Sequence, residues 1–177
     1  MLKLNGAILL GAMVLFSACG GGETKTEETT TTPAATETPA TETPAETQTD
    51  ANAVAELTID GNDQMQFDKK EFRVKEGQKV KLTLTHSGKM DKKTMGHNWV
   101  LLAQGMTPEL YAKAAAKDGD ENYISKSESA NVIAHTKLIG AGESDTIEFT
   151  APAAGVYDFL CSFPGHWGAM NGKFIVE

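Results

Sequence analysis

Val80, Leu82 and Leu84 alternate with Lys81, Thr83 and Thr85, a period of two that suits an extended chain with one dry and one wet face. Residues 72–74, 99–102, 146–149, 157–161 and 173–176 behave similarly, and several short strands at this spacing predict an all-β sandwich. One helix interrupts the pattern. Thr107 suits an N-cap, Pro108 the first helical position, and Glu109 through Lys117 is rich in Ala, Leu and Lys before Gly119 stops it. It is expected to lie beside the sandwich as a flap packed through Leu110 and Tyr111. Residues 54–177 are long enough for one core without help from disulfides.

The chemistry concentrates in Cys161-Ser162-Phe163-Pro164-Gly165-His166-Trp167-Gly168-Ala169-Met170. Thiolate, imidazole and thioether recur here within one loop, and soft sulfur beside nitrogen is the ligand set of copper rather than of hard cations. The strand ending at Tyr157, Phe159 and Cys161 delivers the sulfur, and Pro164-Gly165 turns the chain so that His166 comes back toward it. A second imidazole stands upstream in Met95-Gly96-His97-Asn98-Trp99-Val100. Gly96 lacks a Cβ, so its backbone is expected to approach a bound ion closely, placing its carbonyl near the metal.

These two segments, together with Gly61-Asn62-Asp63-Gln64-Met65-Gln66-Phe67 and residues 132–140 (VIAHTKLIG), carry a resemblance. The chain resembles the azurins, blue-copper proteins of the cupredoxin family. The resemblance implies a Greek-key cupredoxin sandwich with one inserted short helix. It also implies one type 1 copper held by His97, Cys161 and His166, with Met170 as weak axial ligand and the Gly96 carbonyl opposite. Asn98 is expected to hydrogen-bond across to the Cys161 loop, and the Phe163 amide to donate to the Cys161 sulfur; Pro164 cannot donate. Electrons are expected to pass through His166, within an apolar docking patch of Met65, Met95, Phe163, Pro164 and Ala169. His86 and His135 match family histidines that are not ligands, with His135 open to adventitious metal.

Departures from the family pattern are equally specific. The positions of its N-terminal disulfide carry Ala55 and Gly77, so other packing, or copper, must replace a bridge of about 2 to 5 kcal/mol. Residues 89–94 (KMDKKT) are more basic than the apolar rim usual there. Trp167, directly after His166, is unusual too, and is expected among the docking residues where electrons enter or leave.

Residues 1–18 combine Lys3, an apolar run from Ala7 to Phe16 and small residues before Cys19, the pattern of a secretory signal. The run is too short for a membrane span. Leu15 to Cys19 resembles a bacterial lipobox, which implies a lipid on Cys19; Gly20 in place of Asp leaves out the usual inner-membrane retention signal. With Cys19 lipidated, Cys161 is the only free thiol, and an exported chain exposes it to oxidation unless metal occupies it. Residues 19–53 are rich in Thr, Glu, Pro and Ala, with Thr-Glu-Thr-Pro-Ala written twice, and contain no aromatic residue. Such a segment cannot offset the entropy of ordering it and is expected to be a disordered linker. As a flexible coil it would span roughly 30 Å, further with prolines and like charges. A tether that lets the domain search for partners and a spacer that clears surface polymers both fit.

The net charge of −8 disfavours nucleic acid and favours a redox partner with a basic patch, such as a c-type cytochrome or an envelope reductase. Part of that charge lies in the linker, and Lys92-Lys93 would suit an acidic partner on their side. Catalysis needs an open coordination position or a second metal centre, and four histidines leave no credible second cluster once His97 and His166 are used. The sequence thus predicts a non-enzymatic electron carrier in the bacterial envelope, lipid-anchored, with its domain in the periplasm or on the outer surface. The competing readings are copper storage or delivery to another envelope enzyme, and a metal-free binding sandwich.

Overall fold

The computed structural model describes residues 53–177; the signal, the Cys19 lipidation site and the linker expected before them lie outside the described residues. Two sheets face each other. The first joins β1 (Ala55–Gly61), β3 (Lys79–His86) and β6 (Ser144–Thr150), with β1 parallel and β6 antiparallel to the central β3. The second has the order β2 (Glu71–Val74), β8 (Asn171–Val176), β7 (Gly155–Leu160), β4 (Val100–Leu102), β5 (Val132–His135). Here β2 runs parallel to β8, and the remaining pairs are antiparallel. The expected all-β cupredoxin sandwich is borne out.

The alternation in β3 sends Val80, Leu82 and Leu84 into the core, with Lys81, Thr83 and Thr85 on the wetter face. Phe159 sits at the centre of an aromatic cluster, with ring centroids 6.0 Å from Phe67, 5.7 Å from Phe72 and 5.7 Å from Trp99. Trp99 is fully buried, and its indole N–H has no partner among the described residues. Leaving one such donor unpaired costs about 1 to 3 kcal/mol, which the burial of so large a ring offsets.

β4 is buried on both sides, which explains its uninterrupted Val-Leu-Leu. Its outer face, with Leu160, packs against α2 (Pro108–Ala115) through Tyr111, Ala112 and Ala115. Thr107 caps α2 by accepting from the Leu110 amide at 3.3 Å. Leu110 does not pack as expected; it is 58% exposed, because Tyr111, Ala112 and Ala115 occupy the face turned to β4 and β7. The basic segment read as a loop contains a one-turn helix, α1 (Lys92–Met95), whose N-terminal amides Lys93 and Thr94 donate to Asp91. β1 and β5, not foreseen as strands, lie at sheet edges.

Gln78, almost fully buried beside Gly77, ties the start of the domain down. Its side chain accepts from the Lys75 amide and donates to the Ala53 carbonyl, both at 3.0 Å. This clamp joins the two stretches of chain, around Ala55 and Gly77, that a disulfide joins in the family the sequence resembles.

Phe159→Ala, which empties the centre of the aromatic cluster, is expected to lower unfolding free energy by about 3 to 5 kcal/mol. Leu110→Ala should stay within about 0.5 kcal/mol of wild type. Denaturant midpoints of the two variants check both.

Candidate metal centre

Cys161 follows β7 and Met170 precedes β8, so the loop between them closes a β-hairpin. The Cys161 amide donates to the Met170 carbonyl at 2.9 Å, extending the ladder that pairs Leu160 with Asn171. Inside the loop the His166 amide donates to the Phe163 carbonyl at 3.0 Å, with Gly165 at φ 86°. That is a turn with Pro at its second and left-handed Gly at its third position. It swings His166 back over Cys161, leaving its Nδ1 3.7 Å from Sγ.

His97 arrives from the other side of the sequence. Its amide donates to the Ile139 carbonyl and its carbonyl accepts from the Ile139 amide, at 3.0 and 2.8 Å. Its Nε2 lies 3.0 Å from the Asn62 carbonyl, to which it must donate, so Nδ1 keeps a free lone pair. That lone pair is 3.9 Å from Sγ. His86 stacks on this ring at 4.4 Å, donating from Nε2 to the Met95 carbonyl and accepting at Nδ1 from the Gly88 amide. The tight turn through Asn62 is held by its own side chain, which accepts from the Gln64 and Gln66 amides, and Met65 takes a left-handed φ of 55° within it.

The donor atoms of His97, Cys161 and His166 all lie within 4.8 Å of one another, and all three residues are buried. Met170 is fully buried too; its methyl lies close beside Gly61, where a Cβ would come within 3.3 Å of it and 2.7 Å of the His97 ring. The Gly96 carbonyl stands 4.0 Å from Sγ. Glycine is needed there for a reason besides the one expected from the sequence. A Cβ at Gly96 would meet the Lys92 carbonyl at 2.5 Å and Leu138 at 3.0 Å, so it is α1 and Leu138 that crowd the position. Asn98 bridges to the loop as acceptor from the Ser162 amide, at 2.8 Å, and donor to Ser162 Oγ, at 2.9 Å. The Asn98 and Phe163 amides both point at Sγ.

Of the expected docking residues, Met65, Pro164 and Ala169 are exposed and Met95 is half-buried. Phe163 is buried, with its ring against Tyr123 and His166. Trp167 is half-buried and leans on the cluster of Val100, Leu102 and Tyr111 under α2 rather than standing free at the rim. His135 is exposed at the end of β5, away from the donor cluster. Gly61, Asn62 and His86 all shape the site without having been singled out for it. The block from Gly61 to Phe67 was the available signal for the first two.

Burial sets the protonation of the metal-free donors. Desolvation lowers both His97 and His166 to about 4 and raises Cys161 to about 12, the last opposed by the Asn98 and Phe163 amides. The resting set is therefore one thiol and two neutral imidazoles, ready to bind once a single proton leaves. The geometry also fits a metal. With metal–sulfur and metal–nitrogen bonds of about 2.3 and 2.0 Å, S–N separations of 3.7 and 3.9 Å subtend angles of about 120 to 130°, a trigonal arrangement. Two imidazoles and a thiolate so disposed, with a methionine beside them, are the donor set of type 1 copper.

Sandwich and donor set together define a cupredoxin, a small blue-copper protein. The family described as "Copper binding proteins, plastocyanin/azurin family" matches residues 53–177, and the chain belongs to it. It is 47% identical over 124 residues to Azurin-1 of Alcaligenes xylosoxydans xylosoxydans, covering 67% of this chain and 95% of that protein. The azurin of Pseudomonas fluorescens biotype A is 43% identical over 129 residues, 71% of this chain and all of the relative. Among solved structures, auracyanin A of Chloroflexus aurantiacus, a "blue" copper protein, superposes with a TM-score of 0.64 at 32% identity, covering 71% of this chain and 100% of that one. Copper is the cofactor of this family and of this chain.

Loading the metal-free domain with copper(II) at pH 7 should release about one proton, from Cys161, as seen by calorimetry in buffers of different ionisation enthalpy. Without metal, the unfolded chain binds protons at His97 and His166 near 6.5 while the folded one resists until about 4. Stability is thus expected to be full between about 6.5 and 9, where the unfolded Cys161 thiol begins to ionise, and to fall as pH drops through the histidine window, measured as a declining melting temperature.

Proposed function

We propose that this chain is a lipid-anchored, one-electron carrier of the bacterial envelope. His97, Cys161 and His166 would hold the copper, with Met170 and the Gly96 carbonyl as further donors beside them. The reading is carried by one observation: a buried sulfur with an imidazole nitrogen at 3.9 Å on one side and 3.7 Å on the other. Copper held there supplies a one-electron couple. The protein's part is to fix the donors beforehand. His97 is locked by Asn62 and Ile139, Cys161 by the hairpin ladder and Asn98, and His166 by the Pro164-Gly165 turn, so little has to move when charge changes. Burial keeps water from the donors, which also argues against an enzymatic role needing an open position.

His166 is the one equatorial ligand with any exposure, at 3%, and exposed Pro164 and Ala169 flank it in the loop. With Met65 and Met95 they form the surface we assign to docking, a small apolar contact suited to brief encounters. The domain from residue 54 carries 17 acidic and 14 basic side chains, a net of −3. Long-range attraction to a basic partner such as a c-type cytochrome or envelope reductase is therefore weaker than the whole-chain charge of −8 suggests. Among the described residues no helix is long and apolar enough to cross a membrane; attachment in this reading comes from a lipid on Cys19, after removal of residues 1–18, with residues 19–53 as tether and the domain in the periplasm or on the outer surface.

Copper(II) loading should produce an intense thiolate-to-copper visible band, lost in Cys161→Ala. A colourless complex in the wild type would overturn the ligand assignment. Rapid electron exchange with slow copper loss is expected; ready transfer of copper to a metal-free acceptor would favour delivery instead. Cys19→Ser should move the chain from the membrane to the soluble fraction on cell fractionation, and retention on the membrane would refute the anchor.

A further inference from the structure

The limb of the ligand loop between His166 and Met170 has three consecutive carbonyls, and side chains outside it hold all three. Asn171 Nδ2 donates to the Trp167 carbonyl at 2.8 Å and to the Gly168 carbonyl at 3.2 Å. Lys70 Nζ donates to the Ala169 carbonyl at 2.5 Å. Asn171 is the next residue after Met170, so its contact is local. Lys70 comes from 99 positions away, at the entry to β2, and brings the one full positive charge among these donors.

The rest of Lys70 is fixed to the same strand that leaves the loop. Its carbonyl accepts from the Lys173 amide at 2.8 Å. The approach is close enough that a Cβ on Gly172 would lie 2.4 Å from that carbonyl and 2.3 Å from Phe159. Backbone and ammonium thus grip the chain on both sides of Met170. A hydrogen bond from a charged donor is stronger than a neutral one, and this one ends on the peptide unit immediately before Met170.

We propose that Lys70 is a positioning residue for the metal loop: it pins the Ala169 carbonyl, sets the placement of Met170, and adds a fixed positive charge that favours the reduced state of the site. This rests on the ligand assignment made above. A nearby cation stabilises the form of lower positive charge, and the axial ligand tunes the potential of such sites. Lys70 is not among the residues singled out from the sequence.

The test compares full-length wild type, Lys70→Met and Lys70→Arg in two states. In the metal-free state, hydrogen exchange is followed at the Ala169 and Met170 amides, which donate to the His166 carbonyl at 3.1 and 2.8 Å. Lys70→Met should speed their exchange about tenfold, in keeping with losing one bond from a charged donor, and Lys70→Arg should restore it. With copper(II) loaded, the reduction potential should fall in Lys70→Met and return in Lys70→Arg. Unchanged exchange in Lys70→Met overturns the proposal, as does an unchanged potential in chains that show the thiolate band. Absence of that band in the wild type would instead sink the ligand assignment, while the exchange data on metal-free protein would still judge Lys70.

Discussion

The pairing of β7 with β8 is the constraint on which the centre depends. It carries the chain out to Cys161 and back from Met170, and the bond from the Cys161 amide to the Met170 carbonyl closes the loop at its base. Everything within is then a short ring whose shape a few contacts can determine: the turn at Pro164-Gly165, the Asn171 side chain on two carbonyls, and Asn98 on Ser162. The hairpin is itself anchored by Phe159 and Phe174 in the aromatic core. Packing energy spent in the sandwich therefore reaches the donors through two strands.

His97 is the donor this hairpin cannot supply, and its support is organised differently. Its hydrogen bonds go to backbone, the Ile139 peptide on one side and the Asn62 carbonyl on the other, and the flat ring of His86 stacks beneath. The Asn62 bond matters for its direction as much as its strength, because it commits the proton to Nε2 and turns the bare nitrogen to the sulfur. Burial completes the arrangement by disfavouring charge on all three donors. The fold keeps a neutral, dry set of soft ligands together, and copper is the partner that relieves their desolvation.

What could be read from the sequence follows from where the information sits. Cys161, His166 and Met170 were legible because their chemistry is in the side chains and crowded into ten residues. The core strands were legible because period-two alternation survives burial on one face. His97 could be placed with them only through the family resemblance of its segment, since no periodicity joins residues so far apart. Asn62 acts through its carbonyl and Gly61 through its lack of a side chain, so residue type says little about either role. Gly96 has a further reason to be glycine that its own segment does not display, the Lys92 carbonyl of α1 standing where a Cβ would go. Trp167, half-buried, packs its ring toward the cluster under α2, a contact that its place beside His166 in the sequence does not reveal. The edge strands β1 and β5 escaped because pairing partners, not their own patterns, define them.

The missing disulfide brings these threads together. Where the family resemblance implies a covalent link near Ala55 and Gly77, Gln78 ties the turn before β3 to the Ala53 carbonyl. The link is non-covalent, but it is buried and stands at the first described residue, ahead of β1. From there β1 runs in unbroken parallel register with β3, from Ala55 opposite Val80 to Gly61 opposite His86, and ends beside the His97 ring. The register delivers both the Gly61 gap and the Asn62 carbonyl, so a slip of one residue in β1 would remove the acceptor that sets the His97 tautomer. Because the chain preceding residue 53 enters the domain through this strand, the Gln78 clamp stands between any pull on that chain and the geometry of the metal site.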